Sequence, residues 1–490
     1  MKPNTEAIKE TCRQFIKPIL ILTAIFVFGI SAILRANFYY IDDMGRAFWG
    51  YREFQYFGRF IPQYFSVLLH ADAHLTDISP LPQLLAAVIL AISGVIVLHL
   101  ITGKKQFGWI EYVAAIPLGL SPYFLECISY KFDSPYMAFS IFASVAPLLL
   151  ERRGKVTYFL SIVIGMLGVC LSYQAASGIF PMLVAVLALK RWNQQEDWPS
   201  ILRFVVISAA GYLIGMLIFA VAIMKPVDDY VSNSIPSIAE LLPITYLNLK
   251  EYYYYVFTDF KKEWLLLIAA LCAGFVYACV RESRQKWYLA FAMSCTVLLM
   301  LLGMAFGLYP VLTNPLYEPR AMYGFGAFLA FIGIYVASAN GRRSYIFGKI
   351  VCFALCWCFF VFSFTYGNTL YVQKTYTDYR ICAVIDDLDE TGALASEGTK
   401  TVQITGTIGR APAMEAMRQD FQMMNRLVPT TFSDSSWEWG RFGFENYYRL
   451  HNIKWDSSID LRELELPIVC ESIYHTIRAE SNYVLIELKR

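Results

Sequence analysis

The chain has 490 residues, of which 57% are hydrophobic and 16% charged, and its formal net charge is +2. Soluble domains carry about a quarter of their residues as charges, so this composition excludes an ordinary soluble globule and points to a membrane protein. The near-neutral balance also argues against a nucleic-acid partner, which selects for a basic face.

A helix that crosses a bilayer needs roughly 20 mostly apolar residues. Eleven segments meet that pattern: Pro18–Leu34, Leu81–Ile101, Trp109–Leu125, Ser134–Leu150, Val156–Leu171, Ser177–Leu189, Ile201–Ile223, Trp264–Val280, Trp287–Leu308, Ala321–Ala337 and Ile350–Asn368. The first follows a polar N-terminus and carries no small-residue cleavage site, so it reads as an uncleaved anchor. Between the fifth and sixth, SYQAASG (Ser172–Gly178) reads as a tight turn or a break within the membrane.

The connections alternate in chemistry. Gly103-Lys104-Lys105, Glu151 to Lys155, Lys190-Arg191, Arg281 to Lys286 and Gly341-Arg342-Arg343 are short and basic. The positive-inside rule puts them, with the N-terminus, in the cytoplasm. Segments 35–80, 126–133, 172–176, 224–263 and 309–320 then face outward, and an odd number of spans leaves the C-terminus outside too. The predicted fold is an all-α polytopic membrane protein of about eleven transmembrane helices over residues 1–369. A small extracytoplasmic α/β domain over 370–490 follows, with strands at Thr401–Thr407 and Tyr483–Leu488 and an amphipathic helix at Ala411–Leu427. Most of the 11 cysteines sit in apolar segments, but Cys382 and Cys470 lie in the polar C-terminal region and are candidates for a disulfide there.

Chemistry concentrates in the first outward loop, RANFYYIDDMGRAFWGYREFQYFGR. It holds Asp42 and Asp43 among Arg35, Arg46, Arg52 and Arg59, with aromatic residues between them. Phe48, Tyr51, Phe54 and Tyr56 suit a short amphipathic helix on the membrane surface, and Asp77 to Pro80 reads as the cap of the second span. Adjacent acids often do no more than cap a helix. Here they stand shortly after a span, at headgroup depth, where a lipid phosphate meets a sugar. Glycosyl transfer with inversion needs a base for the acceptor hydroxyl, and a carboxylate serves. The partner acid then orients an arginine, a sugar hydroxyl or a divalent metal ion.

Arginines at such a boundary also snorkel to headgroups. As a planar fork, however, Arg46 is the preferred ligand for a lipid phosphate, with Arg59 second. Further substrate-contact candidates are Tyr40, Glu126, Lys131, Asp133, Tyr173, Gln174, Glu318 and Arg320. Each lies in an outward loop, where a local ion pair is the competing role. Asp228-Asp229 and Tyr252–Tyr255 are weaker, since interfacial aromatics are more often anchors. The sequence lacks a Walker loop, a GxSxG elbow and an HExxH site, and its histidines (His70, His74, His99, His451, His475) form no evident cluster. No cofactor is required by these patterns. With no nucleotide outside the cytoplasm, the economical donor is lipid-linked.

The run NFYYIDDMGRAFWGY…FGRFIPQYF, followed by DISPLPQLLAAVIL, resembles the start of the serotype-converting glucosyltransferases that modify bacterial O-antigen, the glucosyl transferase II family. LSYQAASGIF and EPRAMYGFGAF look like later landmarks, and the resemblance spans roughly residues 15–370. It implies a GT-C architecture in the bacterial inner membrane, with the C-terminal domain in the periplasm. It also implies undecaprenyl-phosphate glucose as donor and a lipid-linked O-antigen sugar as acceptor, with dependence on a donor-synthesising enzyme and a donor flippase. By similarity to GT-C enzymes the catalytic base is Asp42 or Asp43, with Asp42 favoured. Transfer of another lipid-linked sugar, such as aminoarabinose to lipid A, a lipid-linked glycan transporter and a non-catalytic assembly partner are the alternatives. A transporter more often shows internal repeats and charges deep in its spans, and neither is present.

Overall fold

An uninterrupted apolar run closes its backbone hydrogen bonds within itself, so it folds as a helix wherever water is excluded. The computed structural model describes residues 5–224, 235–339, 345–394, 398–434, 439–448, 453–456 and 458–490. Asp228-Asp229, Gly341-Arg342-Arg343 and His451 lie outside these. All eleven predicted apolar segments are helical over most of their length. Among the described residues eight helices are long and apolar enough to cross a membrane, or nine if the bent pair Trp109–Leu120 and Pro122–Ser129 is one span. Two more apolar helices, Gln14–Gly29 and Gly324–Ser338, are shorter.

The 57° bend in that pair differs from the straight span predicted over Trp109–Leu125. Its cause is Pro122, which holds the preceding Ser121 in an extended conformation (φ −60°, ψ 141°). Around the bundle apolar side chains face outward; Leu266 and Leu299 are 70% and 69% exposed. Such a surface is the mark of a lipid-facing wall. Gly324–Ser338, by contrast, is buried from Gly324 to Ala337 and forms the axis of the bundle.

The loop after the first apolar segment folds differently from the prediction. No surface helix spans Phe48 to Tyr56. Instead helix Asp42–Trp49 stops at Gly50, whose φ of +63° favours glycine, and the chain resumes as a 3-10 turn, Phe54–Phe57, and a helix, Phe60–His70. Asp77 does not cap the next helix; its carboxylate accepts from the Ser79 amide at 2.8 Å and pairs with Lys131. Helix Ile238–Asp259 contains Tyr252–Tyr255, and Tyr252 is a buried core residue stacked on Phe306, not an interfacial anchor.

A single helix, Tyr345–Glu390, runs 46 residues through the predicted domain boundary at 369–370. At 1.5 Å per residue it is about 70 Å long, more than twice a hydrocarbon core. Leu355, Phe359 and Tyr366 pack it into the bundle, while Ile381, Val384 and Leu388 join the core of a five-stranded sheet. The strands are β1 (Lys400–Gly406), β2 (Ile453–Trp455), β3 (Ile468–Glu471), β4 (His475–Glu480) and β5 (Tyr483–Leu488), in the order β2-β1-β5-β4-β3. β1 runs parallel to β2 and β5; β4 runs antiparallel to β3 and β5.

The helix predicted over Ala411–Leu427 is two, Pro412–Asp420 and Met424–Leu427. Met414, Met424 and Leu427 bury themselves against the helical bundle, not beneath the sheet. Cys382 and Cys470 are free thiols, so no disulfide joins them.

Candidate active site

Asp42 and Asp43 open helix Asp42–Trp49, where the positive end of the helix dipole favours acids. Successive helical residues point about 100° apart, and the two carboxylates part company accordingly. Asp43 is fully buried. Its Oδ2 accepts from the backbone amides of Tyr40 and Lys131, each at 3.0 Å, and its Oδ1 is buried without a partner. Burial pushes this carboxyl up to about 8, outweighing the two amides that favour its charge. Asp43 therefore ties two loops together. Asp42 is exposed, and its charge bears on Arg46, Tyr51, Tyr130 and Asp133.

Arg46 lies inside this ring. It is 4% exposed, pairs with Asp133 and lies 4.2 Å from the centre of the Phe54 ring. Burial opposes its charge, but Asp133 and Asp42 prevail and hold the guanidinium above its ordinary range. Arg59 is differently placed. It is half-buried, its guanidinium carbon is 4.4 Å from the centre of the Tyr173 ring, and its Nε is buried without a hydrogen bond. Among the described residues it forms no ion pair. Arg59, Asp133, Phe54, Tyr136 and Tyr173 line one small cavity, and the charges of both Arg59 and Asp42 bear on Asp133.

Tyr173 has a buried hydroxyl without a partner and stacks on Tyr323 at 6.1 Å. Gln174 lies in the 3-10 turn Gln174–Gly178 and donates to the Phe57 carbonyl at 3.1 Å, so SYQAASG is a break that holds the first loop. Lys131 pairs with Asp77 at 2.9 Å and sits 3.8 Å from the centre of the Tyr39 ring. Glu126 is buried and accepts from the Arg320 backbone amide at 2.5 Å and its Nη1 at 2.8 Å. Glu318 is exposed just before Pro319. Tyr40 is buried, donates to the Leu427 carbonyl at 2.9 Å and meets Tyr130 edge-on at 4.8 Å.

The structure thus gathers Asp42, Arg46, Asp133, Arg59 and Tyr173 into one neighbourhood. It engages Arg46, Lys131, Glu126 and Arg320 in ion pairs within the protein. Sequence reasoning passed over Asp259 and Arg426, which pair with each other. Arg426 also donates to the Tyr317 carbonyl, and Tyr123 donates to Asp259 at 3.1 Å. These contacts pin segment 411–428 over the loops. No local pattern marks Arg426; only Asp259, an acid closing an aromatic run, offered a hint. Among the described residues no trio of metal-type ligands surrounds Asp42 and Asp43.

A family model described as glucosyl transferase GtrII matches residues 31–331, a stretch that contains every candidate residue from Tyr40 to Arg320. The chain belongs to this family. The match is narrower than the resemblance over 15–370, and it ends before helix Tyr345–Glu390 and the sheet. An uncharacterized 55.3 kDa protein in the gtrB 5′ region of Salmonella phage P22 is 23% identical over 461 residues, covering 90% of this chain and 92% of its own. No solved structure matches. In this GtrII glucosyl transferase, then, the loops that follow the first, third and fifth apolar segments converge on the acid pair and its arginines.

Proposed function

We propose that this GtrII glucosyl transferase moves glucose, with inversion, from undecaprenyl-phosphate glucose to a sugar of lipid-linked O-antigen at the periplasmic face of the inner membrane. The observation that carries the reading is the division of labour within the acid pair. Asp43 is spent on two backbone amides in the interior, whereas Asp42 stands exposed at the rim of a cluster containing an unpaired arginine.

In this mechanism the acceptor hydroxyl gives its proton to the Asp42 carboxylate as its oxygen attacks the anomeric carbon of glucose. The bond from that carbon to the phosphate oxygen breaks, and the electron pair leaves with the prenyl phosphate. Arg59 receives the growing negative charge, a role that suits a planar, permanently charged fork. Arg46, committed to Asp133, positions the helix that carries Asp42 and does not hold phosphate. Tyr173 presents its ring beneath Arg59. The same reading includes partnership with a donor-synthesising enzyme and a donor flippase.

The test is transfer in proteoliposomes supplied with undecaprenyl-phosphate glucose and a lipid-linked oligosaccharide, read as a hexose added to the acceptor by mass spectrometry. Transfer from the lipid donor is expected. Transfer from a nucleotide sugar alone would overturn the reading.

A further inference from the structure

Where helix Tyr345–Glu390 meets the sheet lies a second constellation, outside the family match. Asp387, near the end of that helix, Cys470 on β3 and His475 at the start of β4 come from three elements. Their ligand-type atoms all lie within 4.8 Å of one another. Asp387 and His475 border a cleft of about 320 Å³ whose wall includes Cys382, Asp386, Ser472 and Tyr474. His475 is 1% exposed; its Nε2 lies 2.7 Å from Asp387 Oδ2, and its Nδ1 is buried with no partner.

The nearby cations are engaged elsewhere. Arg380 donates to the carbonyls of Tyr474 and Lys489, each at 2.6 Å, and Lys489 donates to the Ser472 carbonyl at 3.0 Å. Neither forms an ion pair with Asp387 among the described residues. A buried imidazole gathered with a thiol and a carboxylate, its Nδ1 without a partner, is therefore left for a ligand of its own.

We propose that Asp387, Cys470 and His475 form a divalent-cation site of the zinc class, which clamps the β3–β4 hairpin to the long helix. The mixed N, S and O donor set suits zinc, whose tetrahedral sites bring ligand atoms to about 3–4 Å from one another, so the trio needs only small side-chain shifts. Binding releases the Cys470 proton to solvent, and the thiolate and the carboxylate together balance the +2 charge. A fourth ligand comes from Asp386 or Cys382 on the cleft wall, or from water. This site is independent of glucosyl transfer.

The full-length protein in detergent, stripped with chelator, is titrated with Co²⁺ alone and then with Zn²⁺ alone. One Co²⁺ per chain with thiolate-to-cobalt charge-transfer absorption is expected, displaced by Zn²⁺. Cys470→Ser should abolish that absorption, and Asp387→Asn should weaken binding by at least about tenfold. If Cys470→Ser does not fold, the wild-type spectrum decides alone. Absence of thiolate absorption in wild type, an unchanged spectrum in a folded Cys470→Ser variant, or a Cys382–Cys470 disulfide in non-reduced protein would each overturn the site.

Discussion

Replacing Asp43 with asparagine separates the cost of a buried charge from the hydrogen bonds that hold it. The Asp43 carboxyl titrates at about 8 in the folded chain against an ordinary 3.8. Between those values the folded state keeps a proton that the unfolded chain has released. Stability therefore falls as pH rises, by about 1.4 kcal/mol per pH unit across that window. The contribution is whole below pH 3.8 and gone above about 8. From pH 6 to pH 8 the loss amounts to about 2–3 kcal/mol. Asparagine keeps an oxygen for the amides of Tyr40 and Lys131 and has no proton to lose. Thermal unfolding midpoints in detergent at pH 6, 7, 8 and 9 should thus fall in wild type by that much more than in Asp43→Asn, with the variant the more stable at pH 9. Parallel profiles would refute the reasoning, and so would a variant that loses stability faster than wild type.

Three further substitutions probe the surrounding contacts. Arg46→Ala leaves Asp133 buried without its partner and should cost about 3–5 kcal/mol in thermal unfolding, with Asp133→Asn in the same chain restoring part of it. Loss of a charge-assisted contact of about 1.5–3 kcal/mol should make Arg59→Ala raise the KM for the lipid donor about 10- to 100-fold, with acceptor KM unchanged and Arg59→Lys a partial rescue. Unaltered donor kinetics would remove Arg59 from the phosphate site. Arg426→Ala strands Asp259 and should speed limited proteolysis within 411–428 while lowering kcat; no change in either would contradict the pinning of that segment.

The helical bundle was legible because apolar runs leave the backbone few alternatives, and Tyr483–Leu488 emerged as a strand with its predicted bounds. Local periodicity failed between Phe48 and Tyr56. The aromatic spacing there mimics a helix, yet Gly50 and Gly58 turn the chain with φ of +63° and +68°. At the site, the gathering of acids, arginines and aromatics in the first loop was legible and its pairings were not. Arg46 meets Asp133 across 87 positions and Arg426 meets Asp259 across 167, distances over which no sequence spacing carries information. Arg46 accordingly read as the preferred phosphate ligand, whereas the fold pairs it with Asp133 and gives Arg59 no ion pair among the described residues. The histidines looked unclustered for the same reason, since His475 finds Asp387 88 positions away.

The central claim rests on one exposed carboxylate. Asp42→Asn, purified and reconstituted beside wild type and Asp43→Asn, gives the most direct measurement: hexose transferred from undecaprenyl-phosphate glucose per unit time at matched thermal stability. The account predicts transfer reduced by about 10²–10⁴-fold in Asp42→Asn and retained in Asp43→Asn. Full transfer by Asp42→Asn, in protein that unfolds at the wild-type temperature, would contradict it.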